Sequence, residues 1–218
     1  MKKLNEEVIN RIIKKVIEEI DKITSNQIPI GVSNRHIHLS KSDLESLFGI
    51  GYELTKYREL KQPGQYAAEE TVKIKGSKGS FENVRILGPV RDKTQIEISL
   101  TDGYKLGIKP PVRRSGILED SSKIEIIGPN GQVNKEEGAI AALRHIHMPT
   151  DIAKRMNLKN GDTVNVETKG IREVILKNVL VRVSDKFELE MHVDTDEANA
   201  CGLKTGDFVS ILDKSWKE

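Results

Sequence analysis

The hydrophobic pattern divides the chain into one long helix followed by many short strands. Over residues 2–23, apolar side chains recur at steps of three, four and one, and charged side chains of both signs fill the opposite face. This pattern predicts an amphipathic N-terminal helix, and the polar residues 24–27 predict a linker. The helix either packs permanently on the protein body or on a second subunit, or it serves as a detachable docking element.

Beyond the linker, the pattern changes to the period-two alternation of short β-strands. Gly, Asn, Asp and Pro interrupt this alternation at short intervals, as expected for turns. The pattern predicts strands at residues 28–32, 71–75, 84–87, 94–100, 123–127, 163–167, 173–183 and 187–193, and short helices at residues 41–48 and 150–156. Many short strands with few helices favour small barrels or sandwiches over alternating βαβ units, so the fold is predicted to be mainly β.

An internal repeat divides the strand-rich part of the chain. The sequence RHIH occurs at residues 35–38 and again at residues 144–147, an offset of 109 residues, which is half the chain. Each copy is followed by a Ser or Thr that predicts a helix cap, in LSKSDLESLFGIG and in MPTDIAKRMNLKNGD. Two later segments, VRDKTQIEISLTD and VRVSDKFELEMHVDTD, are loosely similar. One β-rich unit used twice explains these similarities.

Composition limits the classes of function. With 35 basic and 33 acidic residues, and only four Phe, four Tyr and one Trp, the chain lacks the charge and the stacking residues of a nucleic-acid-binding protein. No apolar stretch approaches the roughly 20 residues of a membrane-spanning helix. The charged N-terminus argues against a signal peptide, so we expect a cytoplasmic protein. The single cysteine excludes an internal disulfide and a cysteine-based zinc module.

The histidines predict metal binding. Side chains at positions i and i+2 of a strand point the same way, so each RHIH copy can direct two imidazoles at one point. Each half also has a similar later strand that offers a third ligand. The candidate ligands are His36, His38 and Glu97 in the first half, and His145, His147 and His192 in the second. Imidazole and carboxylate without thiolate suit Zn²⁺, with Fe, Co and Mn left open. Three protein ligands leave a coordination position free, which is typical of catalytic sites.

Arginines beside glycine and proline indicate the kind of substrate. They occur in GPVR at residues 88–91 and in KPPVRRSG at residues 109–116. The planar guanidinium suits phosphate. Two metal sites together with such arginines therefore predict an anionic, phosphate-bearing substrate, although they leave the reaction open.

Five motifs carry a resemblance to a known family. GVSNRHIHLS, ILGPVR followed by TQIE, KPPVRRSG, RHIHMP and MHVDTDEANA occur in order from residue 28 to the C-terminus. Together they resemble the PduL-type phosphate propanoyltransferases, or phosphotransacylases. The resemblance implies a zinc enzyme that interconverts a short-chain acyl-CoA (propanoyl-CoA or acetyl-CoA) and phosphate with an acyl phosphate and CoA.

The same resemblance implies a domain organisation. Two β-barrel domains are expected, each capped by short helices, with the first strand belonging to the C-terminal barrel. The expected division is a docking or assembly helix with its linker (1–25), a discontinuous barrel (26–34 plus 143–214) and a second barrel (35–142). Some family members use a leading helix to enter a bacterial microcompartment, where propanediol is degraded. We therefore expect shell or cargo partners, a location in the cytoplasm or in a microcompartment lumen, and a homo-oligomer.

Roles for individual residues also follow from the resemblance. One zinc ion falls on His36, His38 and Glu97, and a second on His145, His147 and His192. The catalytic, phosphate-binding arginine falls on Arg91. Contacts to CoA are expected from Val32, Ser33, Lys78, Arg85 and Asn199.

Three alternatives remain open from the sequence. Cys201 could carry an acyl group, but no histidine neighbours it, and a small buried residue at a helix start is the preferred interpretation. A zinc-dependent hydrolase of a CoA thioester or another acyl substrate would use water in place of phosphate. A scaffold with structural metal would need four ligands in each half, which the five histidines of the chain do not readily supply.

Overall fold

The structure is a computed structural model that describes residues 8–16 and 27–214, and strands form most of its regular structure. The strands are β1 (Gln27–Ser33), β2 (His36–His38), β3 (Lys56–Glu59), β4 (Tyr66–Lys75), β5 (Ser80–Gly88), β6 (Gln95–Glu97), β7 (Val112–Arg113), β8 (Ser122–Ile127), β9 (Gln132–Ala142), β10 (His145–Met148), β11 (Thr163–Glu167), β12 (Ile175–Val183), β13 (Glu190–Asp194) and β14 (Phe208–Lys214). The helices are α1 (described over residues 8–16), α2 (Lys41–Phe48), α3 (Leu100–Leu106), α4 (Thr150–Arg155) and α5 (Thr195–Cys201). The predicted mainly β class is confirmed.

One barrel combines the first strand with the last five. Its strands follow the closed order β1-β13-β10-β12-β11-β14. In it, β1 pairs in parallel with β13, placing Ile30 opposite Met191, and antiparallel with β14. The interior is apolar, and Ile146, Val179 and Met191 are all fully buried there. We call this unit the C-terminal barrel.

The other barrel is formed by a continuous stretch of chain, and we call it the N-terminal barrel. Successive pairings β2-β5-β4-β8-β9-β6 return to β2 and close six strands. The short strands β3 and β7 pair outside this ring, with β4 and β9 respectively. Ile37, Ile86, Ile96 and Ile126 are fully buried in its core. The expectation of two small barrels is confirmed.

The two barrels repeat the same pairing around the RHIH strand. In the N-terminal barrel, β2 lies between the parallel strand β5 and the antiparallel strand β6. In the C-terminal barrel, β10 lies between the parallel strand β12 and the antiparallel strand β13. The sequence repeat therefore corresponds to a structural duplication that places each HxH pair at the same position in its barrel.

Two predicted strands are wrong at their ends. The strand predicted at residues 94–100 covers only Gln95–Glu97, because the Ser99 side chain accepts a hydrogen bond from the Asp102 amide and begins α3. The strand predicted at residues 187–193 is displaced to Glu190–Asp194 and leads directly into α5. Apolar side chains alternate through Ile96, Ile98 and Leu100, so the pattern alone does not show where β6 ends and α3 begins. They also alternate through Phe187, Leu189 and Met191, so it does not show where β13 begins.

Other local predictions also need correction. Ser40 caps α2 as predicted, by accepting from the Asp43 amide. The predicted Thr cap of α4 is wrong, because Pro149 occupies the cap position, Thr150 is already helical, and no side chain bonds there. The helices α3 and α5 and the strands β3, β7, β9 and β14 were not predicted. The strand β9 begins with the mostly polar run QVNKEE, which hides its period.

The N-terminal helix is described only in part. Residues 8–16 are helical, and their apolar side chains are 41–50 % exposed. The rest of the predicted helix over residues 2–23, and residues 24–26 of the predicted linker, lie outside the described residues. The long amphipathic helix therefore stays a prediction. Within residues 8–16 and 27–214, no helix is long and apolar enough to cross a membrane.

Candidate active site

The six predicted metal ligands form two clusters beside a cleft between the barrels. In each cluster, the candidate ligand atoms lie within 4.8 Å of one another. Antiparallel strand pairing brings the third side chain of each cluster beside the histidine pair. Glu97 of β6 lies opposite His36, and His192 of β13 lies opposite His145. The cleft is lined by residues of both clusters and of both barrels: Ser33, Asn34, His36, Glu97, Ile98, Ala142, Leu143, His145, His192, Val193 and Asp194.

Backbone carbonyls orient the histidines of the first cluster. His36 Nδ1 lies 2.8 Å from the Asn34 carbonyl oxygen, and His38 Nδ1 lies 3.2 Å from the Leu87 carbonyl oxygen. A carbonyl oxygen only accepts, so each Nδ1 carries the proton and each Nε2 keeps a free lone pair. Burial, aided by His36 and Arg91, lowers the pKa of His38 well below its usual value. Both imidazoles thus present Nε2 to the cluster, and His38 does so in the neutral, ligating form.

The third candidate ligand of the first cluster is held by one side chain of its own strand and one from a later loop. Gln95 Nε2 and Ser115 Oγ both donate to Glu97 Oε1, at 2.5 and 2.9 Å. The Gly116 amide donates to Gln95 Oε1 at 2.7 Å, which fixes the direction of the glutamine amide. Burial alone would raise the pKa of Glu97, but its histidine neighbours, led by His36, lower it below the usual value. Glu97 is therefore a carboxylate, and the motif KPPVRRSG contributes to the site through Ser115 and Gly116.

The second cluster consists of three closely spaced imidazoles. His145 Nδ1 lies 2.9 Å from the Leu143 carbonyl oxygen, which turns His145 Nε2 to within 3.1 Å of His147 Nε2. Burial, followed by the neighbouring His192, lowers the pKa of His145 to about 4. Burial, followed by His145, lowers the pKa of His147 to about 2. Both side chains are neutral at physiological pH, which is the form that binds metal.

Glu190 supports the second cluster as Gln95 supports the first. His192 Nε2 donates to Glu190 Oε2 at 2.7 Å, which leaves His192 Nδ1 as the free ring nitrogen. Glu190 and Gln95 each precede the third ligand of their cluster by two residues, on the same strand face. A Cβ added to Gly31 would lie 2.9 Å from the Glu190 carboxyl group. Glycine at this position therefore allows β1 to pass beside the cluster.

The arginine of each RHIH copy has a structural role. Arg35 Nη2 pairs with Asp102 Oδ1 of α3 at 2.7 Å, and Arg144 Nη1 pairs with Glu197 Oε1 of α5 at 2.8 Å. Each helix begins three residues after the third candidate ligand of its barrel. The two ion pairs therefore hold the cap helices against the strands that carry the ligands.

The donor set fits zinc in both clusters. Each offers two imidazoles and a third donor, carboxylate or imidazole, with no thiolate, a combination that suits Zn²⁺ among the common metals. The two facing Nε2 atoms of His145 and His147 show the convergence of donors that a shared ion requires. Hydrogen bonds on the opposite ring nitrogens are the usual support of metal-binding histidines, and His36, His38 and His145 all have them. Three protein donors in each cluster leave room for a substrate atom.

Arg91 lies next to the first cluster. It follows β5, and its amide donates to the Leu39 carbonyl at 2.9 Å, one residue beyond His38. Burial lowers the pKa of Arg91, and the charge of Glu97 opposes this shift. The guanidinium is half-buried and makes no side-chain hydrogen bond or ion pair among the described residues. Its donors are therefore free to bind an anion.

The five residues predicted to contact CoA occupy different surroundings. Val32 and Ser33 lie at the end of β1, and Ser33 lines the cleft. Lys78 is exposed and packs on Gly107, while Arg85 donates to the carbonyls of Ala68 and Glu69. Asn199 is exposed on α5, where its carbonyl accepts from Arg172. The structure brings Ser33 to the metal clusters, and the CoA roles of all five residues stay predictions.

Cys201 lies at the end of a helix, which corrects the expectation that it lies at a helix start. It is the last residue of α5, and its side chain is buried in the core of the C-terminal barrel. Burial raises the pKa of its thiol, with a smaller contribution from Glu197. A buried thiol with a raised pKa is a poor nucleophile. It is also absent from the lining of the cleft within the described part of the chain.

Comparison with known proteins agrees with this site. A family model described as phosphate propanoyltransferase matches residues 29–204. A phosphate propanoyltransferase of Rhodopseudomonas palustris (strain BisB18) is 47 % identical over 204 residues, covering 88 % of this chain and 90 % of the relative. The corresponding proteins of Thermotoga maritima and Priestia megaterium are 59 % and 52 % identical, covering 77 % and 88 % of this chain and 80 % and 89 % of the relatives. The matched segment contains both histidine clusters and Arg91, and the chain belongs to the phosphate propanoyltransferase family of acyltransferases.

Proposed function

We propose that this protein interconverts a short-chain acyl-CoA and phosphate with an acyl phosphate and CoA, using two zinc ions. The name of the family favours propanoyl-CoA as the substrate, and acetyl-CoA is the alternative with a shorter acyl chain. The observation that carries the proposal is that both clusters contribute residues to a single cleft, through His36 and Glu97 from one barrel and His145 and His192 from the other. Arg91 lies near enough to Glu97 for the two charges to interact. Such a cleft can hold both an anion and a carbonyl oxygen.

Arg91 binds and orients phosphate in this proposal. Its guanidinium offers parallel donors that match two phosphate oxygens. Because phosphate is already substantially dianionic at neutral pH, the site needs no strong general base to activate it. Zinc at the two clusters would supply Lewis acidity towards the phosphate and thioester oxygens. Holding phosphate in line with the thioester carbonyl removes much of the entropic barrier to their reaction.

Direct transfer between the bound substrates is favoured over an acyl-enzyme. The carbon–sulfur bond of the thioester breaks as a phosphate oxygen bonds to the carbonyl carbon, and CoA leaves as a thiolate that takes up a proton. The cysteine of the chain, Cys201, is buried at the end of α5, and its raised pKa disfavours the thiolate. The proposed mechanism therefore contains no intermediate in which the acyl group is bonded to the protein.

Phosphate dependence tests the proposal. Release of CoA is measured from propanoyl-CoA and acetyl-CoA, with and without phosphate, together with the metal content of the purified protein. We expect CoA release only with phosphate, and zinc as the bound metal. Equal release without phosphate would indicate a thioester hydrolase. A protein without transition metal that zinc does not activate would refute the two-zinc mechanism.

The role of Arg91 has its own test. Arg91→Lys keeps the charge and loses the two-pronged donor geometry. We expect this variant to raise the KM for phosphate or lower kcat, with little change in the KM for acyl-CoA. Arg155→Lys, at an exposed site on α4, is the matched control and should behave as the wild type. Unchanged phosphate kinetics in Arg91→Lys would remove Arg91 from the phosphate site.

We also propose that residues 1–25 form a docking or assembly element, separate from a discontinuous barrel domain (26–34 plus 143–214) and a second barrel domain (35–142). The exposed apolar side chains of residues 8–16 support this proposal, and so does the location of all six candidate ligands beyond residue 34. Microcompartment shell or cargo proteins, or a second copy of the chain, are the proposed partners. Deletion of residues 1–24 should leave zinc content and turnover near wild type and abolish co-localisation or higher assembly. A sharp fall in melting temperature with loss of activity would show that the helix belongs to the fold.

A further inference from the structure

Arg182 lies beside the second metal cluster, and none of the sequence motifs assigns it a role. It belongs to β12 and lies opposite His147 of β10 in a parallel pairing. Residues opposite each other in neighbouring strands project to the same side of a sheet. Both side chains also contact Phe187, whose ring centroid is 4.5 Å from that of His147 and 5.6 Å from Arg182 Cζ. The guanidinium is therefore on the side of the barrel that carries the metal ligands.

The charge of Arg182 has no counter-ion within the described residues. No carboxylate oxygen there lies within 4.0 Å of its guanidinium nitrogens, and its Nε is buried without a hydrogen-bond partner. Burial lowers the pKa of Arg182, the nearby positive charge of Arg114 lowers it further, and the charges of Glu97 and Arg91 act in opposite directions. A half-buried guanidinium with unused donors and like charges nearby is stabilised by a bound anion.

The N-terminal barrel shows that the duplication does not require an arginine at this position. There His36 lies opposite Arg85, so the residue opposite His38 is Leu87. Leu87 is the counterpart of Arg182, and its carbonyl bonds to His38 Nδ1. An apolar side chain therefore fills the equivalent place in one barrel, whereas the other barrel places an unpaired cation there.

We propose that Arg182 and Arg91, one from each barrel, hold the phosphoryl oxygens of inorganic phosphate or acyl phosphate between the two metal clusters. Arg91 lies beside His38 of the first cluster, and Arg182 lies beside His147 of the second. Two guanidinium groups on opposite sides of the anion would fix its position as well as its charge. This inference rests on the proposed function and adds a second phosphate-binding residue to the same site.

Binding of inorganic phosphate to the metal-loaded protein is the direct test. Isothermal titration of phosphate is compared for wild type, Arg182→Lys and Arg182→Met, with Arg155→Met on the exposed surface as control. Loss of a charge-assisted hydrogen bond predicts roughly tenfold or more weaker phosphate binding in Arg182→Met. The phosphate affinity of Arg182→Lys should lie between those of Arg182→Met and wild type, because lysine keeps the charge and loses the two-pronged donor geometry of the guanidinium. Arg155→Met should bind phosphate as wild type does.

Metal content and circular dichroism establish that each variant is folded and loaded. If Arg182→Met does not fold, Arg182→Lys decides the question. Wild-type phosphate affinity in the folded variants would overturn the proposal. A raised KM for acyl-CoA with unchanged phosphate affinity would also overturn it, because Arg182 would then face a phosphate group of CoA.

Steady-state kinetics separate this inference from the proposed function. If wild type binds phosphate but releases no CoA in its presence, the transferase proposal fails and the anion site stands. If wild type and Arg182→Met show phosphate-dependent turnover with the same KM for phosphate, the transferase stands and the role of Arg182 fails.

Discussion

The buried histidines of the second cluster should make the metal-free protein sensitive to mild acid. The perturbation is a fall in pH from 7 to 5 after any bound metal has been removed with a chelator. The folded-state pKa of His145 is about 4, against 6.5 for a free histidine. A group whose pKa is lowered by folding contributes its full stability above the unfolded pKa, and loses it as the pH falls towards the folded pKa. The sensitive window is therefore pH 6.5 to 4.

The size of the effect follows from the two pKa values of His145. At pH 5 the unfolded imidazole is almost fully protonated, whereas the folded one is mostly neutral. The difference lowers the free energy of unfolding by about 2 kcal/mol between pH 7 and pH 5 for this side chain. His147, whose folded pKa is about 2, acts in the same direction. The two effects are not additive, because the imidazoles interact.

Denaturant unfolding at a series of pH values measures the effect. Metal-free wild type is compared with metal-free His145→Gln, whose amide does not titrate, so that the titrating groups outside this cluster cancel. We expect wild type to lose about 2 kcal/mol more stability than the variant between pH 7 and pH 5. Zinc-loaded wild type should lose less, because bound metal keeps the imidazoles deprotonated. Parallel pH profiles for metal-free wild type and His145→Gln would refute the burial argument.

The remaining predictions concern the metal ligands, their support and the cysteine. His147→Ala should lose one metal ion per chain and most turnover, and unchanged metal content would exclude His147 as a ligand. Gln95→Ala should weaken metal affinity about 10- to 100-fold, measured by competition with a chelator, because Glu97 loses a hydrogen bond. If the variant binds metal as tightly as wild type, Gln95 does not support the metal site through Glu97. Cys201→Ala should keep substantial activity. An inactive variant, together with an acyl group trapped on Cys201 of wild type, would instead support an acyl-enzyme mechanism.

The two clusters of candidate ligands were predictable because their geometry is local or repeated. A strand places positions i and i+2 on one face, and that rule alone brings His36 near His38. The recurrence of RHIH then indicated a second pair. The third candidate ligands needed the similarity of two later strands, and Glu97 also needed the family resemblance. Antiparallel pairing of β6 with β2 and of β13 with β10 brings them beside the histidine pairs.

The supporting residues could not be predicted because they depend on tertiary packing. Ser115 reaches Glu97 from a loop 18 residues later in sequence, and nothing in its local pattern indicates this contact. Gln62 donates to the Glu188 carbonyl from the other barrel, 126 residues away. Glu190 and Gln95 are exceptions: they precede His192 and Glu97 by two residues on the same strand face, so the i+2 rule could have found them.

The position of β1 in the C-terminal barrel has a consequence for biosynthesis. Ile30 pairs opposite Met191, so β1 is made 161 residues before its parallel neighbour β13. At about 5–20 residues per second, a ribosome needs roughly 10–30 s to supply that neighbour. During this interval all strands of the N-terminal barrel are already synthesised, and β1 has two unpaired edges. A nascent chain truncated near residue 142 would therefore carry an apolar strand with no barrel to join, which makes it a substrate for chaperones or a starting point for aggregation.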